Sequence, residues 1–272
     1  MGNPGVRRNV GSHLGRSRVD WYTTGSRPFQ GGVLNPIDDA ALSGCQSRLL
    51  DLAAAWEANG RPPQGDSWWN RDHWRHWLPD DVPLLDRLPD AINRDYVREW
   101  FPEPWLPEGA RSAFITTMIW GYGPAGYGPW RTAEILRQYG AEERLSSVVR
   151  ITRDRDPLAG YDALSSRECC RLLGLGPAFG TKFLSFAALN QPAPVLDALV
   201  SRWLFKHSGG AIALGNRGWR TDHYEAYVDL MQRLTTSPID DIKDSEYLIF
   251  ADAAVHLSKR PERWRESWVP TQ

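Results

Sequence analysis

The residues best suited to chemistry lie between Leu172 and Leu204, in the run LLGLGPAFGTKFLSFAALNQPAPVLDALVSRWL. Gly174, Leu175 and Gly176 read as a tight turn, and Pro177 stands at the first position of the helix that follows. Backbone without Cβ atoms can come close to a ligand. The start of that helix, with Ala178, offers N–H groups suited to a phosphate. Such a hairpin grips a nucleic-acid backbone without reading its sequence, and its carbonyls can hold a monovalent or alkaline-earth ion beside the phosphate. A proline-rich turn then leads to Asp197 at a helix start, where a carboxylate caps backbone amides. Amines are scarce. Only Lys182, Lys206, Lys243 and Lys259 are lysines among 32 basic residues, so a reaction that needs an amine has few candidates.

The same segment resembles the helix-hairpin-helix element of the DNA glycosylase superfamily. It is most similar to the bacterial 8-oxoguanine DNA glycosylase OGG-fold proteins, whose hairpins carry a G-L-G-P-A-F-x-T-K pattern. The likeness is best from Arg111 to Leu204, weaker through the C-terminal helix, and does not usefully cover residues 1–80. It implies that Asp197 acts on the sugar as the glycosidic bond breaks, stabilising positive charge and orienting or deprotonating the nucleophile. Helix capping by Asp197 is compatible with that role.

The resemblance also implies a nucleophilic lysine 18 or 19 residues before the aspartate. Nineteen residues before Asp197 stands Ala178, which has no amine. Lys182 lies one turn on, on the same helix face, and its long side chain can reach the pocket. There desolvation would lower its pKa and activate it. The alternative is a solvated lysine on a phosphate. The loop Trp120–Trp130 falls where glycosylases insert a wedge into the duplex, which Tyr122 or Tyr127 would supply. A rigid Gly/Pro loop packed between lobes fits it equally. The run EYLIFADAA resembles the family helix lining the base pocket. This puts Phe250 where an aromatic stacks on the extruded base and Glu246 where a polar group reads its edge. Spacing alone fits Phe250 equally well as core.

Helices must position these groups. Periodic apolar residues predict helices over 38–56, 84–100, 107–120 and 141–151, with a further one opened by Pro129 and closed by Gly140. A short helix is expected from a Ser165/Glu168 capping box to Leu172 or Leu173, then others from Pro177 to about Leu189, from Asp197 to Phe205, over 221–235 and over 244–258. Arg150–Pro157 reads as a charged connection. No strand-like alternation of any length occurs. The expected class is all-α and helix-hairpin-helix DNA glycosylase-like, with two helical lobes around a cleft. Residues 1–36 are expected as a flexible basic arm and 37–272 as the helical domain, with the hairpin at 165–189 and the proline-rich loop and Asp at 190–197.

Residues 61–83 mix Trp68, Trp69, Trp74 and Trp77 with arginines and histidines. Tryptophans of this kind are more often core or interface than base platforms. His73 and His76 lack partner ligands at zinc spacing. Three cysteines, Cys45, Cys169 and Cys170, give neither a disulfide framework nor a metal set. The adjacent pair is expected on a helix, pointing to different faces, as reduced thiols. No metal is expected at the centre.

A formal net charge of −1 leaves nucleic-acid binding to one local face. No apolar run approaches the ~20 residues of a membrane span, and no signal-peptide segment follows the basic N-terminus. The expectation is a cytoplasmic, monomeric protein without organic cofactor, nucleoid-associated if bacterial, with double-stranded DNA as partner. The leading functional expectation is base excision repair: an N-glycosylase that flips out and excises a damaged or modified purine resembling 8-oxoguanine, with AP-lyase activity left open. The rival is a helix-hairpin-helix DNA-binding module that has lost excision, serving in phage defence.

Overall fold

The computed structural model describes residues 39–166, 169–215, 217–258 and 266–270. The basic arm foreseen over 1–36 lies outside them, as does Glu168 of the foreseen capping box. Twelve α-helices, two short 3-10 helices (Pro79–Asp81 and Pro107–Gly109) and a two-stranded ribbon make up the regular structure of the described residues. The first helix, α1 (Asp39–Ala58), buries Leu42, Cys45, Leu49, Ala53 and Trp56, the residues whose spacing predicts it, and Leu52 beside them. Gly60, at φ 77°, follows its end.

The tryptophan-rich stretch folds as β1 (Ser67–Trp68), α2 (Arg71–Trp77) and α3 (Val82–Leu85), followed by β2 (Ala91–Ile92) and α4 (Arg94–Arg98). β1 and β2 are antiparallel, with Ser67 opposite Ile92 and Trp68 opposite Ala91. A single helix over 84–100 is thus not formed. Pro89 disfavours helix at and before its position. Asn93 then starts α4 afresh by accepting from the Tyr96 amide at 3.0 Å. Three of the four tryptophans are structural. Trp69 Nε1 donates to the Pro89 carbonyl at 2.8 Å, Trp74 is buried edge-on against Trp69, and Trp77 Nε1 donates to His73 Nε2. Trp68 is 65% exposed.

At the centre lies α5 (Ala110–Tyr122), with Phe114, Ile115, Met118 and Ile119 fully buried. It packs on α4, on α6 (Gly128–Leu136), on α7 (Ala141–Asp154) and on α9 (Pro177–Ala187). Between α7 and the hairpin runs α8 (Pro157–Ser165), where only a connection was foreseen up to Pro157. Its start is a helix signal: Asp156 accepts from the Ala159 amide at 2.7 Å and Pro157 occupies the first turn. Ser165 therefore ends a helix instead of beginning one, its hydroxyl donating to the Asp162 carbonyl. Cys169 and Cys170 lie in a turn with their sulfurs 3.0 Å apart, not on opposite helix faces.

The chain closes with α10 (Ala198–His207), α11 (Thr221–Leu234) and α12 (Ile242–His256). All twelve described α-helices contribute residues to one continuous hydrophobic core, and the all-α class expected from the sequence is the one formed. No described helix is long and apolar enough to cross a membrane.

Candidate active site

The hairpin joins α8 to α9 and is braced from α6. Gly174, at φ 87°, takes a backbone conformation that side chains with a Cβ rarely adopt. Its carbonyl accepts from Arg131 Nη1 at 2.9 Å. Gln138 bonds both ends of Leu173, accepting from its amide and donating to its carbonyl, each at 2.7 Å. Gly174 and Gly176 are exposed, Leu175 and Ala178 half-buried, and no side chain caps the start of α9. The Arg131 guanidinium also lies over the rings of Tyr127 and Trp130, tying the α5–α6 connection to the hairpin.

An ion on this hairpin fits its surroundings poorly. Two of its carbonyls already accept from Gln138 and from a guanidinium, and that positive charge would repel a bound cation. Among the described residues no group of three His, Cys, Asp or Glu is placed to hold a metal.

The proline-rich segment after α9 is buried, with Ala193, Val195 and Leu196 almost inaccessible, so its backbone polar groups need partners. Three side chains provide them. Thr181 Oγ1 accepts from the Leu196 amide at 3.1 Å and lies 3.1 Å from the Leu196 carbonyl. Tyr224 donates to the Pro194 carbonyl at 3.1 Å and Tyr227 to that of Val195 at 2.8 Å. This docking delivers Asp197 beside Lys182, the residue after Thr181.

Lys182 Nζ donates to Asp197 Oδ2 at 3.0 Å. The other oxygen, Oδ1, accepts from the amides of Leu199 at 2.9 Å and Val200 at 3.2 Å. The aspartate thus caps α10 with one oxygen and meets the amine with the other. Burial pushes its carboxyl up. The charge and hydrogen bond of Lys182, with the two amides, outweigh that and hold it below the usual carboxylate range. Lys182 is 8% exposed and packs against Phe179, whose ring centre is 5.7 Å from Nζ. Gly121 makes room for this packing. A Cβ there would stand 2.7 Å from the Phe179 ring and 3.1 Å from Lys182 Cδ.

Glu246 on α12 joins the same neighbourhood, since Lys182 and Asp197 both act on its charge. Its Oε2 accepts from Arg94 Nη2 at 2.6 Å, while Oε1 is buried without a hydrogen-bond partner among the described residues. Burial raises its carboxyl above the ordinary value, and Arg94 and Lys182 offset part of that rise. Phe250, one turn further along α12, is half-buried against the core.

The segment foreseen as a loop over Trp120–Trp130 is shorter, because α5 runs through Tyr122 and α6 begins at Gly128. Tyr122 lies flat on Phe179, with ring centres 4.0 Å apart, and is half-buried. Tyr127 is 53% exposed and meets Tyr122 edge-on. Trp68 adjoins this connection. Ser67 Oγ donates to the Trp120 carbonyl at 2.9 Å, and the Trp68 carbonyl would lie 3.5 Å from a Cβ on Gly123.

Residues 60–250, well over half of the chain, match the family described as "Putative 8-oxoguanine DNA glycosylase OGG-like protein". The chain belongs to this family. The match reaches further than the stretch from Arg111 to Leu204 where the likeness is best read, and it takes in the whole tryptophan-rich segment. No curated protein and no solved structure matches the chain. Sequence reading missed Arg94, which hydrogen-bonds Glu246, and Thr181, Tyr224 and Tyr227, which hydrogen-bond the segment leading to Asp197. The two tyrosines leave one signal, hydroxyls three residues apart on an otherwise apolar helix face.

Proposed function

We propose that the protein is a DNA N-glycosylase that takes a damaged guanine-type purine out of the duplex and releases it, with Lys182 as nucleophile. The observation that carries this reading is the Lys182–Asp197 contact of 3.0 Å, set between the exposed glycine hairpin and the buried, half-free Glu246 carboxylate. The hairpin and the start of α9 hold phosphate. Tyr127, the more exposed of the two wedge candidates, enters the stack as the base leaves it.

In the chemical step, Asp197 Oδ2 receives a proton from Lys182 and the freed amine attacks C1′ of the deoxyribose. The C1′–N9 bond breaks, its electron pair departs with the base, and the base takes the proton held by Asp197. The carboxylate so regenerated stabilises the positive charge left on the sugar and its amine adduct. The amine adduct opens to an imine, which permits elimination of the 3′ phosphate and so AP-lyase activity. Glu246 favours a guanine-type base because the N1–H and N2–H donors of guanine match a carboxylate acceptor. An 8-oxoguanine keeps both donors. The chemistry calls for no organic cofactor.

Borohydride trapping and strand cleavage on duplexes holding 8-oxoguanine or an abasic site test the reading. The parent protein should trap on DNA, and Lys182→Ala should abolish trapping. Base release without trapping would make water the nucleophile. Salt-sensitive duplex binding with neither release nor trapping on a panel of damaged bases would favour a DNA-binding module that has lost excision.

A further inference from the structure

We infer that Arg94 is a positioning residue: it keeps the Glu246 carboxylate charged and turned so that Oε1 stays open to a bound base. The inference rests on the glycosylase reading for its ligand, but its geometry stands apart from the hairpin. Arg94 opens α4, in the segment that precedes the central helix. Its guanidinium is fixed on three sides. Nη2 donates to Glu246 Oε2 at 2.6 Å, Nε donates to Gln64 Oε1 at 2.6 Å, and the group lies over the Trp120 ring at 5.2 Å. The side chains of Arg94 and Glu246 are 12% and 1% exposed.

A buried carboxylate oxygen with no donor is costly, and proteins rarely retain one without a use. Glu246 Oε1 is such an atom among the described residues. The charged and titratable groups facing Glu246 are Arg94 from α4, Lys182 from α9, Asp197 at the start of α10, and Tyr224 and Tyr227 from α11. The two tyrosine hydroxyls are spent on the Pro194 and Val195 carbonyls, and Lys182 is directed to Asp197. Arg94 is thus the described group that hydrogen-bonds Glu246.

The consequence is chemical as well as structural. As a carboxylate, Glu246 can only accept, which suits a base edge carrying N–H groups. Take Arg94 away and burial favours the protonated acid, which turns one oxygen into a donor and reverses what the site recognises. Arg94 therefore sets the polarity of base recognition without touching the base.

The test uses the full chain as parent, Arg94→Met, Arg94→Lys, Glu246→Gln and the Arg94→Met/Glu246→Gln double variant, with thermal unfolding to confirm that each folds. Infrared spectra at neutral pH read the protonation of Glu246 directly. A protonated-carboxyl band should appear in Arg94→Met and be missing from the parent, from Arg94→Lys and from the double variant. Base release from an 8-oxoguanine duplex should fall roughly 10- to 100-fold in Arg94→Met at neutral pH, the worth of a charged hydrogen bond. It should recover toward the parent as pH rises, and Arg94→Lys should keep most of the activity. No new band, together with a pH profile parallel to the parent's, would reduce Arg94 to packing and overturn the inference. Should Arg94→Met fail to fold, a parent-like profile and spectrum in Arg94→Gln would overturn it equally. A parent that releases no base while the infrared band behaves as stated would sink the glycosylase reading and leave the hold of Arg94 on Glu246 standing.

Discussion

Asp197 divides its two oxygens between tasks, and that division makes its substitutions informative. Oδ1 caps α10 through two amides, while Oδ2 meets the amine of Lys182. Asp197→Asn keeps a carbonyl oxygen for the cap and loses the charge. Asp197→Ala loses both. Loss of the cap costs about 1 kcal/mol of stability. The expected outcome is that both variants lose base release and, with the ion pair to Lys182, some stability, while Asp197→Ala shows the lower unfolding midpoint in denaturant because it also loses the cap. Equal destabilisation by the two changes would mean that the cap contributes nothing measurable. Lys182→Ala should hurt in a different way, since it leaves a largely buried carboxylate with amides alone and raises its pKa. The sequence showed Asp197 at a helix start and Lys182, one turn beyond Ala178, within reach of the same pocket. The direct contact across 15 residues was not legible, because the expected lysine spacing pointed to Ala178.

At the scale of elements, the site depends on glycines that hold helices close and on a hairpin turned by a left-handed residue. Gly174→Ala forces φ 87° on a residue with a Cβ, and that Cβ would meet Arg131 Nη1 at 3.3 Å. The conformational strain is about 1 kcal/mol. Duplex affinity should fall with only this modest loss of stability, which filter binding and thermal unfolding together would show. Gly121→Ala acts on the other side, driving Phe179 and Lys182 apart. Excision should drop more than duplex binding does, and a proportional loss of both would argue against a specific effect on Lys182. The helices with apolar residues recurring at helical spacing, such as α1, α9 and α11, were legible in the sequence. The segment 84–100 was not, because its apolar residues (Leu85, Leu88, Ile92, Tyr96 and Trp100) keep helical spacing across Pro89 while Asn93 restarts the chain. The tryptophans of 68–77 resisted reading for a related reason. Their partners, the Pro89 carbonyl and one another, come together only once β1 and β2 pair.

Across the whole molecule, one buried aspartate draws together α1, α10 and α12. Asp252, 1% exposed, accepts from Arg48 Nε and Nη2 and from Trp203 Nε1, with His207 and His256 close by. No periodicity announces such a node, since its members are 204 positions apart in the chain and each looks like an ordinary polar residue on an apolar helix. Removing one partner of a buried ion pair costs roughly 3–5 kcal/mol, so Arg48→Met should lower the unfolding midpoint more than any surface arginine change. His207 gives the node a pH dependence. Burial lowers its pKa, with Lys206, Arg48 and His256 adding to the fall and Asp252 opposing it. A histidine whose folded pKa is depressed binds protons more weakly folded than unfolded. Its contribution is therefore fully present above the unfolded value of about 6.5 and is lost as pH falls through the folded value. His223, also depressed by burial, acts in the same direction. Unfolding free energy should accordingly decline as pH drops below about 6.5, and the decline should be shallower in His207→Gln. Denaturant titrations across that range decide the point: identical slopes for parent and variant would show that His207 is not responsible.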